Sequence, residues 1–184
     1  YCETHHEEAY LTNVTAVGQL TDLCEEYKSR FIHLSTDFVF DGKINEAAGL
    51  LYTEIDLPAP VNYYGYTKWK GEERVAETCS SYAIVRVEIV YGKALPGQHG
   101  NIVQLVMNRL KAGQEIRVVS DQWRTPTYVG DVSDGVLRLI EHTANGIFHI
   151  CGDECMTIAE IAYQVADYMK LDRSLIHPTT TEEM

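Results

Sequence analysis

The sequence predicts an α/β fold organised on a parallel sheet, and three observations carry that expectation. Helix-period segments alternate with short strand-like runs along the whole chain. Two of those runs, YAIVRVEIV at 82–90 and GIFHICG at 146–152, are apolar with almost no alternation, as strands buried on both faces are. A third, RFIHLST at 30–36, ends in two hydroxyls at the edge where parallel sheets place their ligands.

Each element has its own local reason. Over residues 4–28, Leu11, Val14, Val17, Leu20, Leu23 and Tyr27 recur at helical spacing, which predicts an amphipathic helix. The strand 30–36 follows, then a loop with Gly, Pro and acidic residues over 41–62, and a helix that begins near Tyr64. After the strand at 82–90 comes LPGQHGN, where Gly97 and Gly100 mark a mobile loop. A helix near 100–112, the strand IRVVS, a helix after Asp131 and the strand GIFHICG complete the alternation. Thr157 and Glu160 are spaced as a capping box, which opens a last helix.

The bulk numbers narrow the function classes. With 184 residues, 45% hydrophobic and 23% charged, the chain suits one core or one domain with a small satellite. A net charge of -12 argues against a nucleic-acid surface, which needs clustered Lys and Arg. No apolar run approaches the ~18 residues of a membrane span, and no secretory leader is visible. Five scattered cysteines fit reduced thiols and a cytoplasmic location better than a disulfide framework. CETHHEE lacks the i, i+4 histidine pair of a zinc helix, so no metal is expected at Cys2, His5 and His6. Cys151 and Cys155 read as packing thiols, His33 as a hydrogen-bonded core histidine and Trp69 as helix packing, while Trp123 is a candidate ligand stacker. The text opens at Tyr1, already helix-like, which suggests part of a larger protein.

The chemistry-bearing stretch is NYYGYTKWKGE at 62–72, with two Tyr–Lys pairs at a spacing of four. On a helix, Tyr64 continues through Lys68, Gly71, Val75 and Cys79, a row that points inward. Tyr66 continues through Lys70, Glu73 and Glu77, a solvated and salt-linked row. A lysine on an inward row needs a purpose, because burying an unpaired ammonium is costly. A phenol one turn away provides it: the ammonium is expected to lower the phenol pKa and so make Tyr64 a usable acid–base group.

STDFVFDG, PVNYYGYTKWKGE, VRVEIVYGK and VSDQWRTPTYVGD, in this order, resemble the extended short-chain dehydrogenase/reductase superfamily, and within it most closely the dTDP-4-dehydrorhamnose reductase family. The resemblance covers nearly the whole chain. It implies a Rossmann-like parallel sheet with a small substrate-binding subdomain. Residues 1–91 would be the second half of the cofactor domain, 92–129 a substrate-binding segment, 130–150 the returning helix and strand, and 151–184 a further substrate-side segment. It implies NAD or NADP as cofactor and a nucleotide sugar as substrate. Thr36 would hydrogen-bond the substrate carbonyl, Tyr64 would protonate it, and Lys68 would hold the nicotinamide ribose and tune Tyr64, with Asn13 supporting the site. Ser35 and Arg86 would serve the cofactor alongside Tyr64 and Lys68; Asp37, Phe38, Asn101 and Arg124 would serve the substrate.

Some positions depart from that pattern. Phe38 stands where many members carry Tyr, Glu88 and Ile89 stand where rhamnose-type reductases have Ser and Trp, and Arg124 stands where those reductases often have Gly. No G-x-x-G-x-x-G turn occurs in the chain, so the pyrophosphate half of the cofactor domain is expected elsewhere. The resemblance allows a homodimer through the helices at 4–28 and 64–79. It also leaves two alternatives open: a non-catalytic regulatory subunit like that of methionine adenosyltransferase, and a nucleotide-sugar epimerase or dehydratase.

Overall fold

A computed structural model describes residues 1–43, 51–94 and 100–184; Gly97 and part of the 41–62 loop lie outside the described residues. In chain order the elements begin with α1 (His6–Tyr10), a π-helical turn (Leu11–Thr15), α2 (Ala16–Glu26), β1 (Phe31–Thr36) and a 3-10 turn (Asp37–Val39). Then come α3 (Tyr63–Thr78), β2 (Tyr82–Val87), β3 (Val90–Tyr91), α4 (Ile102–Lys111), β4 (Ile116–Val119), β5 (Trp123–Arg124) and β6 (Thr127–Tyr128). The chain continues with α5 (Val129–Glu141), β7 (Gly146–Ile150), β8 (Met156–Thr157), α6 (Ile158–Met169), a 3-10 turn (Arg173–Leu175) and β9 (Ile176–Thr179). Two compact units result: Tyr1–Val87 with Ser133–Ile150, and Glu88–Val132 with Cys151–Met184.

The first unit is an α/β layer on a parallel sheet of order β1-β2-β7. β2 lies in the middle, and its Ala83, Ile84 and Val85 are buried, which explains the unbroken apolar run. The expected strand to Val90 stops at Val87, because Ile89 takes a φ of 34° and Val90–Tyr91 pair instead with Thr127–Tyr128. A bend of that kind is strained for a β-branched residue. Val17, Val75 and Ile84 form the core of this unit, with Phe31, Tyr82 and Ile147 packed around them.

The helix expected over 4–28 is present but interrupted by the π-helical turn, and its apolar stripe is only partly internal. Val14 and Val17 are buried, whereas Leu11, Leu20, Leu23 and Tyr27 remain exposed. The buried row runs through small residues because α3 approaches closely there. A Cβ on Gly71 would stand 2.5 Å from the Asn13 carbonyl oxygen, a backbone atom that cannot step aside cheaply. Gly71→Ala is therefore expected to destabilise the protein by about 1–3 kcal/mol, in the range of overpacked cores. Chemical denaturation would measure it, and a loss under about 0.5 kcal/mol, the scale of an ordinary surface change, would remove this account of the helix contact.

The second unit packs α4 and α6 against the parallel pair β4-β9. Its core gathers Val106, Leu110, Ile116, Val118, Ile161, Ala162 and Ala166. The capping box forms as the spacing predicts, with Thr157 accepting from the Glu160 N–H and the Glu160 carboxylate accepting from the Thr157 N–H.

Candidate active site

β1 delivers Ser35 and Thr36 at its carboxyl end, and the chain then turns sharply. Thr36 caps that turn: its Oγ1 accepts from the Phe38 N–H at 3.3 Å and donates to Asp37 Oδ1 at 3.0 Å. α3 starts against the same turn. Asn62 is its N-cap, with Oδ1 accepting from the Gly65 N–H at 2.7 Å. Gly65 lies directly on the Phe38 carbonyl oxygen, where any Cβ would collide. The missing side chain lets Tyr64 come down beside Thr36. The Tyr64 ring meets Phe38 edge to face at 5.9 Å, and its hydroxyl is close enough to the Thr36 side chain for the two to influence each other.

Burial pushes the Tyr64 phenol above its ordinary value; the neighbouring Thr36 hydroxyl pulls it back, and the Asp37 carboxylate raises it further. This corrects the expectation that Lys68 lowers it. The Lys68 ammonium donates instead to the Leu34 carbonyl at 2.7 Å, and burial lowers its own pKa against a smaller upward pull from Glu72. A phenol held high stays protonated at neutral pH but gives up its proton less readily than one poised near the working pH.

The two rows of α3 divide as their spacing predicts: Gly71, Val75 and Cys79 are buried. Tyr66 is exposed, and Lys70 pairs with Glu73 at 2.5 Å. Asn13, at the π-helical turn, donates to Thr67 Oγ1 at 3.0 Å, and Thr67 donates onward to the Tyr64 carbonyl at 2.9 Å. Asn13 thus steadies the main chain of Tyr64 through the buried Thr67. His33 lies beside Lys68 on β1; burial first, and the ammonium second, lower its pKa to about 3, so it is neutral.

Ser35 and Arg86, expected to face a cofactor, are instead engaged inside the protein. Arg86 Nε and Nη2 donate to the two Glu72 oxygens at 2.9 and 2.7 Å, and Ser35 Oγ donates to the same carboxylate. The Arg86 and Glu72 side chains are only 3% and 4% exposed and Ser35 is buried too, so both expected ligand residues hold an internal carboxylate. The sequence reading missed Glu72. Helical phase could have found it, since Gly65, Lys68, Glu72, Val75 and Cys79 repeat at spacings of three and four.

Asp37 and Phe38 border Thr36 and Tyr64. Asn101 and Arg124 belong to the second unit. Asn101 caps α4, accepting from the Gln104 N–H at 3.1 Å and donating to the Gly92 carbonyl at 2.7 Å, a structural use of both its polar atoms. Arg124 lies 3.6 Å from Glu88 and also bonds the Trp123 carbonyl. The His5 and His6 rings stack on Tyr1 and Tyr63. Among the described residues no group of three His, Cys, Asp or Glu is placed to hold a metal ion, and no helix is long and apolar enough to cross a membrane.

Comparison with known proteins gives the family of the chain. Residues 1–184 match the family described as RmlD substrate binding domain. A probable low-salt glycan biosynthesis reductase of Haloferax volcanii is 32% identical over 186 residues, covering 100% of this chain and 60% of that protein. Methionine adenosyltransferase 2 subunit beta of Rattus norvegicus is 31% identical, covering 97% of this chain and 53% of that one. The crystal structure of dTDP-4-dehydrorhamnose reductase from Bacillus anthracis, in complex with NADP, superposes with a TM-score of 0.90 at 31% identity, over 99% of this chain and 62% of that one. The chain therefore spans between half and two thirds of the length of these relatives.

Proposed function

Because the chain belongs to the RmlD substrate binding domain family, we propose that the protein works as an NAD(P)-dependent reductase of a 4-keto nucleotide sugar. One observation carries this reading: the Thr36 hydroxyl and the Tyr64 phenol meet at the carboxyl end of β1, with Lys68 one turn further along the same helix and bonded to the Leu34 carbonyl. The 31%-identical relative in complex with NADP supports the cofactor class. The residues present fit the nicotinamide-ribose end of such a cofactor, since the Lys68 ammonium has three donors and the Leu34 carbonyl takes one.

A dinucleotide held there would supply hydride to the carbonyl carbon. Tyr64 Oη gives its proton to the carbonyl oxygen as that oxygen gains charge, and the product is an alcohol. Thr36 Oγ1 donates to the same oxygen and orients it. Lys68 would hold the ribose hydroxyls with the donors the Leu34 carbonyl leaves over. Asn13, acting through Thr67, keeps the Tyr64 main chain in place. In this reading 1–91 and 130–150 serve the cofactor, and 92–129 and 151–184 serve the sugar.

The test is turnover by the full-length protein. A dTDP- or UDP-linked 4-keto-6-deoxy sugar with NADPH or NADH should yield the reduced sugar, with loss of reduced-nicotinamide absorbance. A second reading rests on the subunit-beta relative, which is as similar as the reductases. No turnover with any of these sugars, together with tight binding to a methionine adenosyltransferase catalytic chain, would replace the first reading by the second.

A further inference from the structure

The first turn of a helix leaves backbone N–H groups without helical partners, and at the start of α3 three of them, on Tyr63, Tyr64 and Gly65, are answered by side chains. Asn62 takes the Gly65 N–H. The two before it, Tyr63 and Tyr64, are taken by a residue some sixty positions away. Both Glu3 carboxylate oxygens accept from the Tyr63 N–H at 3.0 Å, and Oε1 also accepts from the Tyr64 N–H at 3.2 Å. These bonds, the largest influence on Glu3, hold its carboxyl below the ordinary range. The segment carrying Glu3 is itself ordered: the Thr4 and His5 N–H groups both donate to the Tyr1 carbonyl at 3.0 Å. Three residues on, the His6 ring stacks on Tyr63 at 3.9 Å, a second contact between the same two segments.

We propose that Glu3 is a positioning residue for Tyr64, fixing the first turn of α3 so that the phenol stays against Thr36. The inference rests on the reductase reading, because it gives Glu3 its importance through the proton donor. A negative group at a helix start usually adds only stability. This one differs in holding the backbone of the residue whose hydroxyl must meet the substrate oxygen. Without Glu3, the Tyr63 and Tyr64 N–H groups turn to water, the turn loosens, and its second residue is Tyr64. Small misplacement of a reacting group is costly in rate, with a shift of ~1 Å able to cost ~10²-fold.

The test uses the full-length protein with Glu3→Ala, Glu3→Gln and Glu3→Asp, each also combined with Tyr64→Phe. Glu3→Ala should lower kcat about tenfold, leaving KM for the sugar and the dinucleotide Kd within about twofold. Glu3→Gln, which keeps one acceptor oxygen, should recover most of the rate. In the Tyr64→Phe background Glu3→Ala should add nothing, since both act through one hydroxyl. An unchanged kcat in Glu3→Ala, or a full additional loss on top of Tyr64→Phe, would overturn the proposal. Amide hydrogen exchange gives an arm independent of turnover: the Tyr63 and Tyr64 N–H groups should exchange faster in Glu3→Ala. If wild-type protein reduces no sugar, the reductase reading fails on its own account. Unaltered exchange would then sink the positioning role as well, and faster exchange would preserve it as a determinant of where Tyr64 sits.

Discussion

Tyr64→Phe is expected to lower the reduction rate by ~10²–10⁴, the usual worth of general acid help, while sugar KM and cofactor affinity stay close to wild type. The substitution removes one hydroxyl that matters when the carbonyl oxygen gains charge, so the loss falls on the transition state. The ring keeps its edge-to-face contact with Phe38, and the fold around it has no reason to move. Tyr66→Phe is the matched control on the same helix. Its side chain is exposed, so its effect should stay under about threefold, a surface-scale change of less than ~0.5 kcal/mol. Steady-state kinetics on both variants separates the two faces. A crippled Tyr66→Phe with an active Tyr64→Phe would place the chemistry on the other row, and two active variants would remove the proton-donor role altogether.

Glu72→Ala is expected to have the largest effect on stability, about 3–5 kcal/mol, as when one partner of a buried ion pair is removed. The Arg86 guanidinium would be left almost wholly buried, without its carboxylate, stacked over the Phe40 ring at 5.0 Å. Ser35 would lose its acceptor too. Against a typical total of 5–15 kcal/mol, that loss leaves a protein close to unfolding at physiological temperature. Urea denaturation measures it directly. Replacing Glu72 and Arg86 together by apolar residues of similar size should recover much of the loss, since no unpaired charge then remains. A Glu72→Ala variant within about 1 kcal/mol of wild type would mean that water reaches Arg86 freely, against its burial.

These two residues mark how far helical spacing reads the faces of α3. The row of Tyr64 differs from that of Tyr66 in polarity pattern, and burial in the structure follows that pattern at Gly71, Val75 and Cys79. Glu72 stands next to Glu73 and is chemically identical to it, yet one is buried against Arg86 and the other pairs with Lys70 near the surface. Asn101 and Arg86 looked like ligand groups because both residue types bind ligands well. The structure gives the first to a helix end and the second to an internal ion pair.

By itself the sequence determined the α/β class, the alternation of elements, the capping box at Thr157 and the inward face of α3. All of these follow from periodicity and local hydrogen bonding, which operate over a few residues. Only the tertiary structure decided the environment of each polar group. It placed Glu3 on the Tyr64 N–H across some sixty residues, raised the Tyr64 phenol, sent the Lys68 ammonium to the Leu34 carbonyl and buried Glu72 on Arg86. The physical reason is that a side chain's pKa and partners are set by desolvation and by groups brought near in space, and neither is encoded in the spacing of its neighbours along the chain.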